Sequence, residues 1–167
     1  TPVFGELRNL IPQKGGRFIN VLDMQGQRRV AFLGDELAAD LFKKADPIGR
    51  LILLAGSPFT VVGVLAKKEQ DSSYSGPDAT KVSIPGTTFR ALTGDKYMDN
   101  FIFKSKRSPR TGALKTEIIR VLAKKYRFAP DDKEALGMWD TTEMFQFLDT
   151  FMMAFRLFLA VVGSLTL

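Results

Sequence analysis

The sequence predicts an α+β fold that ends in one long helix. Three observations carry this expectation. The run VAFLG passes through a tight turn straight into the helical pattern DELAADLFKK. Two apolar, β-rich runs, LILL and FTVVGVL, are separated by AGSP, the composition of a hairpin turn. The last 26 residues, from Thr142 onward, contain no proline and one glycine and read as one continuous helix.

Residues 1–28 show little periodicity, and glycines at 15, 16 and 26 around a short apolar piece predict turns and a brief extended segment. Arg29 to Gly34 reads as a strand. Asp35 suits a helix N-cap, and Leu37, Ala38, Leu41 and Phe42 share one helical face. Pro47 stops that helix, because it has no N–H and holds Asp46 in extended geometry. Leu51–Leu54 and Phe59–Leu65 then form the hairpin. Both runs are nearly all apolar, which predicts burial on both faces.

Lys67 to Thr80 is polar and turn-rich, a long loop for one domain. Lys81–Pro85 is a short strand. Thr87 or Thr88 caps a short helix that sets Phe89 and Leu92 one turn apart and ends at Gly94. Asn100–Lys106 reads as a strand and Thr111–Tyr126 as an amphipathic helix with Leu114, Ile118, Val121 and Leu122 on one stripe. Ala135–Asp140 is the next strand, so this segment predicts a right-handed βαβ unit. Asp140 and Glu143 have the spacing of a capping box at the start of the final helix.

Composition excludes several chemistries. With 45% hydrophobic and 25% charged residues, the 167-residue chain has the make-up of a folded domain. Its net charge of +6 is scattered in basic pairs with acids close by. The densest cluster, Lys104 to Arg110, reads as solvated surface. Phe101 and Phe103 beside it do not make an RNA-binding consensus, so no nucleic-acid partner is predicted. There is no cysteine and no histidine, which removes the thiol nucleophile, the commonest general base and the commonest metal ligands. There is no GxxxxGK[ST] phosphate loop.

The remaining polar candidates have plain structural readings. Ser105 between two lysines reads as a solvated strand end. Asp35-Glu36 suits a helix start and Asp131-Asp132 a turn. Asp95 and Asp99 flank a charged turn. Asp71 and Asp78 lack EF-hand spacing. Trp139 reads as an anchor between the last strand and the final helix. No catalytic residue, metal or cofactor is predicted in this chain.

The final helix changes character along its length. Gln146, Asp149 and Thr150 keep its first half polar in places, whereas no charge follows Arg156. A helix leaving water for lipid has this pattern, although the eleven residues after Arg156 fall short of the roughly 20 that a span needs. An amphipathic helix packed on its own domain, or a dimer interface, fits the same pattern.

The stretch VAFLGDELAADLFKKADPIGRLILLAGSPFTVVGVLAKK resembles the periplasmic domain of MacB/FtsX-like ABC transporter permeases. The likeness rests on Val30–Gly34, Leu41-Phe42, the run Asp46-Pro47-Ile48-Gly49-Arg50 and the run Phe59 to Val64. GGRFINVLD upstream, KVSIPGTTFRALTG downstream and the terminal FLAVVGSLTL keep the family's order. Lys43-Lys44-Ala45 departs from it, standing where an acidic residue or glycine is usual before Asp-Pro.

The resemblance implies a porter-like βαβ layer with an inserted, mostly-β subdomain, followed by a stalk helix. Residues 1–46 would end the first porter-like part, incomplete at its N-terminus, and 47–99 would be the insertion. Residues 100–140 would be the last βαβ, and 141–167 the stalk and the start of a transmembrane span.

It further implies a non-catalytic part of a permease in the bacterial inner membrane, with this domain on the periplasmic side. The implied partners are an ABC-type ATPase and a second permease copy or paralogue. A periplasmic adaptor and an outer-membrane channel are further partners that the resemblance allows. The implied work is mechanotransmission, in which ATP hydrolysis in the partner drives export or lipoprotein movement outside the membrane. The stalk face Met144, Phe145, Phe147, Leu148, Phe151, Met152 and Phe155 would transmit it, although simple packing accounts for the same residues. A soluble binding module with a C-terminal oligomerisation helix is the alternative, and it predicts a defined oligomer without lipid.

Overall fold

A strand that is apolar at every position needs cover on both faces, and Val30–Leu33 is such a strand. A computed structural model of the chain describes residues 1–68, 76–95, 97, 100–104, 111–132, 134–138 and 141–166, with the backbone alone at 111, 141–145, 165 and 166. The chain divides into two units, Thr1–Phe103 and Lys104–Leu167. The first holds α1 (Pro2–Leu7), α2 (Val21–Gln25), β1 (Val30–Leu33), α3 (Asp35–Phe42), β2 (Leu51–Leu54), β3 (Ser57–Val64), β4 (Val82–Ser83) and α4 (Gly86–Thr93). The second holds α5 (Thr111–Tyr126) and α6 (Thr141–Thr166).

The four strands form one sheet in the order β2-β3-β1-β4. β1 runs parallel to β3 and antiparallel to β4, and β2 pairs antiparallel with β3. A parallel neighbour requires a crossover, and α3 supplies it. Ala31 and Leu33 pack with Phe59, Val61, Val64 and Ala38 of α3 in one buried cluster. Phe32 joins Leu10, Leu65 and Phe18 in a second cluster, with the Phe18 and Phe32 rings edge to face at 4.8 Å. Thus β1, from the segment 1–46, and β2 to β4, from 47–99, share one sheet.

The N-terminal segment differs most from expectation. It carries two short helices where turns and an extended piece were expected. At five and six residues these are too short to show an apolar period. Past α1 the chain lies along β3 where β2 stops: the Gln13 N–H donates to the Val64 carbonyl and the Arg17 N–H to the Val62 carbonyl. Gly63 makes this approach feasible, since a Cβ there would sit 2.4 Å from the Arg17 carbonyl oxygen.

Asp35 is not the N-cap of α3. Gly34 takes that place, with Asp35 and Glu36 in the first turn. A Cβ at 34 would lie 2.0 Å from the Ala79 carbonyl oxygen, so only glycine lets the two segments approach. The helix ends at Lys43, whose φ is +56°, four residues ahead of Pro47. Of the predicted face, Ala38 is buried, Leu37 and Phe42 pack at the cluster, and Leu41 is exposed.

The hairpin forms, but its turn is the pair Ala55-Gly56, both at positive φ, and Ser57 and Pro58 already belong to β3. Burial on both faces fails for β2. It is an edge strand, and Leu51 and Leu53 are 67% and 73% exposed because nothing described covers their side of the sheet. Thr87 and Thr88 do not cap α4. Their hydroxyls donate instead to the Met24 carbonyl at 2.6 Å and the Arg28 carbonyl at 2.9 Å, tying α4 to α2. Gly94 ends α4 in the left-handed conformation, as expected.

In the second unit α5 has the predicted bounds. The strands expected on either side of it do not form among the described residues: 100–104 and 134–138 carry no regular structure. An apolar run becomes a strand only where a neighbour supplies ladder hydrogen bonds. The rest of those two segments, with Ser105, Trp139 and the Asp140 cap, lies outside the described residues, as do Asp71 and Asp99.

Gly34→Ala is expected to lower stability by about 1–3 kcal/mol in urea unfolding. Gly86→Ala, with only the Met24 methyl near at 3.9 Å, is expected to be neutral or stabilising. Equal effects of the two would contradict the close approach at Gly34.

Candidate functional site

Buried charge is the usual mark of reactive chemistry, and the first unit buries two carboxylates. Asp23 has no exposed surface. Arg17 grips it with both terminal nitrogens, Nη1 to Oδ2 at 2.5 Å and Nη2 to Oδ1 at 3.0 Å. The Asn20 N–H donates to Oδ2 at 3.0 Å and Arg28 stands 3.8 Å from Oδ1. Asn20 returns a cap, its Oδ1 accepting from the Asp23 N–H at 2.9 Å. Burial pushes the Asp23 carboxyl up. The Arg17 and Asn20 hydrogen bonds, with the Arg17 and Arg28 charges, outweigh it and hold the group below its ordinary value. The same hydrogen bond raises the Arg17 guanidinium. Asp23 is therefore held as a carboxylate by its own neighbours, a structural lock for α2 with no surface open to a substrate.

Asp78 is a cross-chain tie. Arg8 and Lys68 each reach its Oδ2 at 2.9 Å, and Lys81 lies 3.9 Å from Oδ1. Lys68 also donates to the Arg8 carbonyl at 2.9 Å. Segments up to 70 residues apart meet at one carboxylate. A shallow pocket of about 220 Å³ adjoins it, walled by Phe4, Leu10, Phe32 and Leu65 with Arg8 and Asp78 at its rim. Three cations around Asp78 oppose the hard-cation role considered for it with Asp71. Among the described residues no group of three His, Cys, Asp or Glu side chains is placed to hold a metal.

The residues expected to form a stalk face lie on α6, and the exposure there is apolar. Phe147, Leu148, Phe151, Met152 and Phe155 are all between 45% and 69% exposed. Phe147, Phe151 and Phe155 follow one another at four-residue steps and so share a side of the helix. The rings of Phe151 and Phe155 are near parallel, 7° apart with centroids at 6.3 Å. Leu148 and Met152 form the adjacent row. The side chains of Met144 and Phe145 lie outside the described residues.

The exposure continues through Leu157, Phe158, Leu159, Val161 and Val162. Gln146–Ser164, 19 residues with none buried, is long and apolar enough to cross a membrane. Its hydroxyls are satisfied within the helix: Thr150 donates to the Gln146 carbonyl and Ser164 to the Val161 carbonyl, each at 2.8 Å. That is what a helix in an apolar medium needs.

Sequence reasoning found the apolar helix and missed both carboxylate clusters. Asn20 and Asp23, three apart, carry a capping-box spacing that could have revealed the first. In the second, Lys81 is three residues from Asp78, but nothing local announces the closer partners Arg8 and Lys68, 70 and 10 residues away.

Residues 1–121 match the family model described as the MacB-like periplasmic core domain. The macrolide export ATP-binding/permease protein MacB of Chlorobaculum tepidum is 28% identical over 149 residues, which is 87% of this chain and 22% of that protein. The chain thus spans about a fifth of that relative's length. Among solved structures, the extracellular domain of the noncanonic ABC-type transporter YknZ from Gram-positive bacteria superposes with a TM-score of 0.65 at 19% identity, covering 76% of this chain and 62% of that one. The periplasmic region of MacB from Actinobacillus actinomycetemcomitans gives 0.55 at 17% identity, covering 71% of this chain and 52% of that one. The two structures show a shared fold.

The Asp23 lock sets an acid limit. Because its folded-state value is depressed, its stabilisation is complete above the ordinary value of 3.8 and is lost as pH falls through the folded value. Asp23→Asn is expected to cost about 1–3 kcal/mol near neutral pH and to flatten the fall in melting temperature below about pH 4. Thermal scans of both proteins across pH check this. An unchanged acid slope would contradict it.

Proposed function

The chain belongs to the MacB-like periplasmic core domain family, and we propose that it works as the moving extracytoplasmic part of an ABC transporter permease. Hydrolysis of ATP by a partner ATPase domain or subunit on the cytoplasmic side displaces the membrane helices. α6 carries that displacement into the sheet domain, which moves cargo outside the membrane. The chain itself performs no bond chemistry. The cargo is an exported compound or a lipoprotein.

One observation carries this reading. A 26-residue helix, roughly 39 Å long at the standard rise, follows a MacB-like domain and exposes apolar side chains along its length. A rigid helix of that length moves as a lever, and coupling requires that its contacts differ between two states. Phe147, Phe151 and Phe155, flanked by Leu148 and Met152, form the contact surface, and Met144 and Phe145 extend it by position. Methionine side chains suit a surface that repacks between states.

This places the protein in the bacterial inner membrane with the sheet domain on the periplasmic side. Its partners are the ATPase and a second permease copy or paralogue, with a periplasmic adaptor and an outer-membrane channel joining in export.

Uncoupling tests the proposal. In the intact transporter, Phe151→Asp is expected to reduce transport by about tenfold, a coupling loss of ~1.4 kcal/mol, while ATP turnover continues. The purified 167-residue chain is expected to hydrolyse no ATP. Full transport by Phe151→Asp, or turnover by the chain alone, would overturn the reading.

A further inference from the structure

The sheet ends on one side at β2, and the backbone there is free to pair. Along an antiparallel strand every second residue turns its N–H and C=O away from its neighbour. Three observations fix that phase in β2. The Arg50 carbonyl accepts from the Val61 N–H at 2.8 Å. The Thr60 N–H, opposite Leu51, donates to the Arg29 carbonyl on the β1 side of β3 at 2.9 Å. Leu53 stands opposite Pro58, which has no N–H to give. Leu51 and Leu53 therefore present both backbone groups to the open edge. They are also the two residues of β2 whose side chains are exposed.

Edges left open are ordinarily blunted by a charge, a proline or a bulge within the strand. β2 has none of these: it reads LILL, and its register with β3 runs unbroken from Leu51 to Leu54. Exposed Pro58, across from Leu53, widens the apolar face. Charge sits only at the entrance to the strand. The connection from α3, residues 43–50, carries Lys43, Lys44 and Arg50 against Asp46, all exposed. Asp46 is engaged in its own turn, its Oδ1 accepting from the Ile48 N–H at 2.9 Å. Arg50 uses only Nε, donating to the Asp46 carbonyl at 2.8 Å, and its two terminal nitrogens have no partner among the described residues.

We propose that this edge takes an added antiparallel strand from a separate protein. The segment it fits reads apolar, any residue, apolar, with Asp or Glu in the next two positions. The backbone of its two apolar residues pairs with Leu51 and Leu53 through about four hydrogen bonds, and their side chains pack on those leucines. Running antiparallel, its C-terminal end arrives at Arg50, whose guanidinium fork takes the carboxylate. A second copy of this chain is the poorer occupant. Its LILL edge brings no acid to Arg50, and a chain of net charge +6 repels its twin. The inference is independent of the reading of α6.

Amide shifts of the isotope-labelled 167-residue chain in zwitterionic micelles, titrated with the end-blocked peptide TTVTVEE, test this. The Leu51 and Leu53 amide signals are expected to move several-fold further than those of Ile52 and Leu54, which already face β3. The peptide TTVTVKK is expected to bind about fivefold more weakly, and Arg50→Glu to invert that preference. Leu53→Pro removes an N–H that β3 does not use, so it is expected to keep the melting temperature and lose the binding. Leu53→Lys gives the same loss without touching the backbone. Equal binding of the two peptides, or binding by neither, would overturn the proposal. So would Leu51 and Leu53 signals that move with the concentration of the chain alone, which would make a second copy the occupant.

Discussion

Burying β1 on both faces is the constraint from which the first unit follows. Val30, Ala31, Phe32 and Leu33 together leave almost no surface to water. One face requires α3 and the β3 side chains, which forces the parallel crossover. The other requires Leu10, Leu65 and Phe18, which brings the N-terminal segment across the sheet. Two glycines make those approaches sterically feasible, Gly34 beneath the Ala79 carbonyl and Gly63 beneath the Arg17 carbonyl. Asp78 then closes the arrangement, tying Arg8, Lys68 and Lys81 at one point. A buried carboxylate with several cationic partners gives definition more than net stability, since desolvation offsets much of the attraction.

Legibility in the sequence followed the length and locality of each signal. The β2–β3 hairpin, α5 and α6 carry apolar patterns long enough to be read, and β1 stands out as four apolar residues between Arg29 and Gly34. The bounds of α5 and the left-handed end of α4 at Gly94 were readable from local chemistry. α1 and α2 were not, because one turn and a half of helix owes its stability to what it touches. The exposure of Leu51 and Leu53 was also hidden: an apolar run shows that a strand is β-rich, not whether it lies inside the sheet or at its edge. Thr87 and Thr88 looked like caps because a hydroxyl ahead of an apolar pair usually is one. Their actual acceptors, Met24 and Arg28, are about 60 residues away, beyond any local signal. Asp23 and Asp78 belong to the same category.

The long helix α6 has a different character. Among the described residues of the first unit no buried polar side-chain atom lacks a partner and β1 is covered on both faces, whereas α6 exposes Phe147, Leu148, Phe151, Phe155, Leu157, Phe158 and Leu159 and buries none of its described side chains. Exposed apolar area on this scale marks a surface made for a partner or for lipid. The family match and the two superposed structures account for the domain that precedes it.

Amide hydrogen exchange on the chain, first in plain buffer and then in lipid nanodiscs, addresses the central claim most directly. The account predicts slow exchange in the β1–β4 sheet under both conditions. Amides of α6 after Arg156 should exchange quickly in buffer and become protected only with lipid. A helix already protected in buffer, in a particle of one defined mass, would contradict membrane entry and make α6 the oligomerisation helix of a soluble binding module.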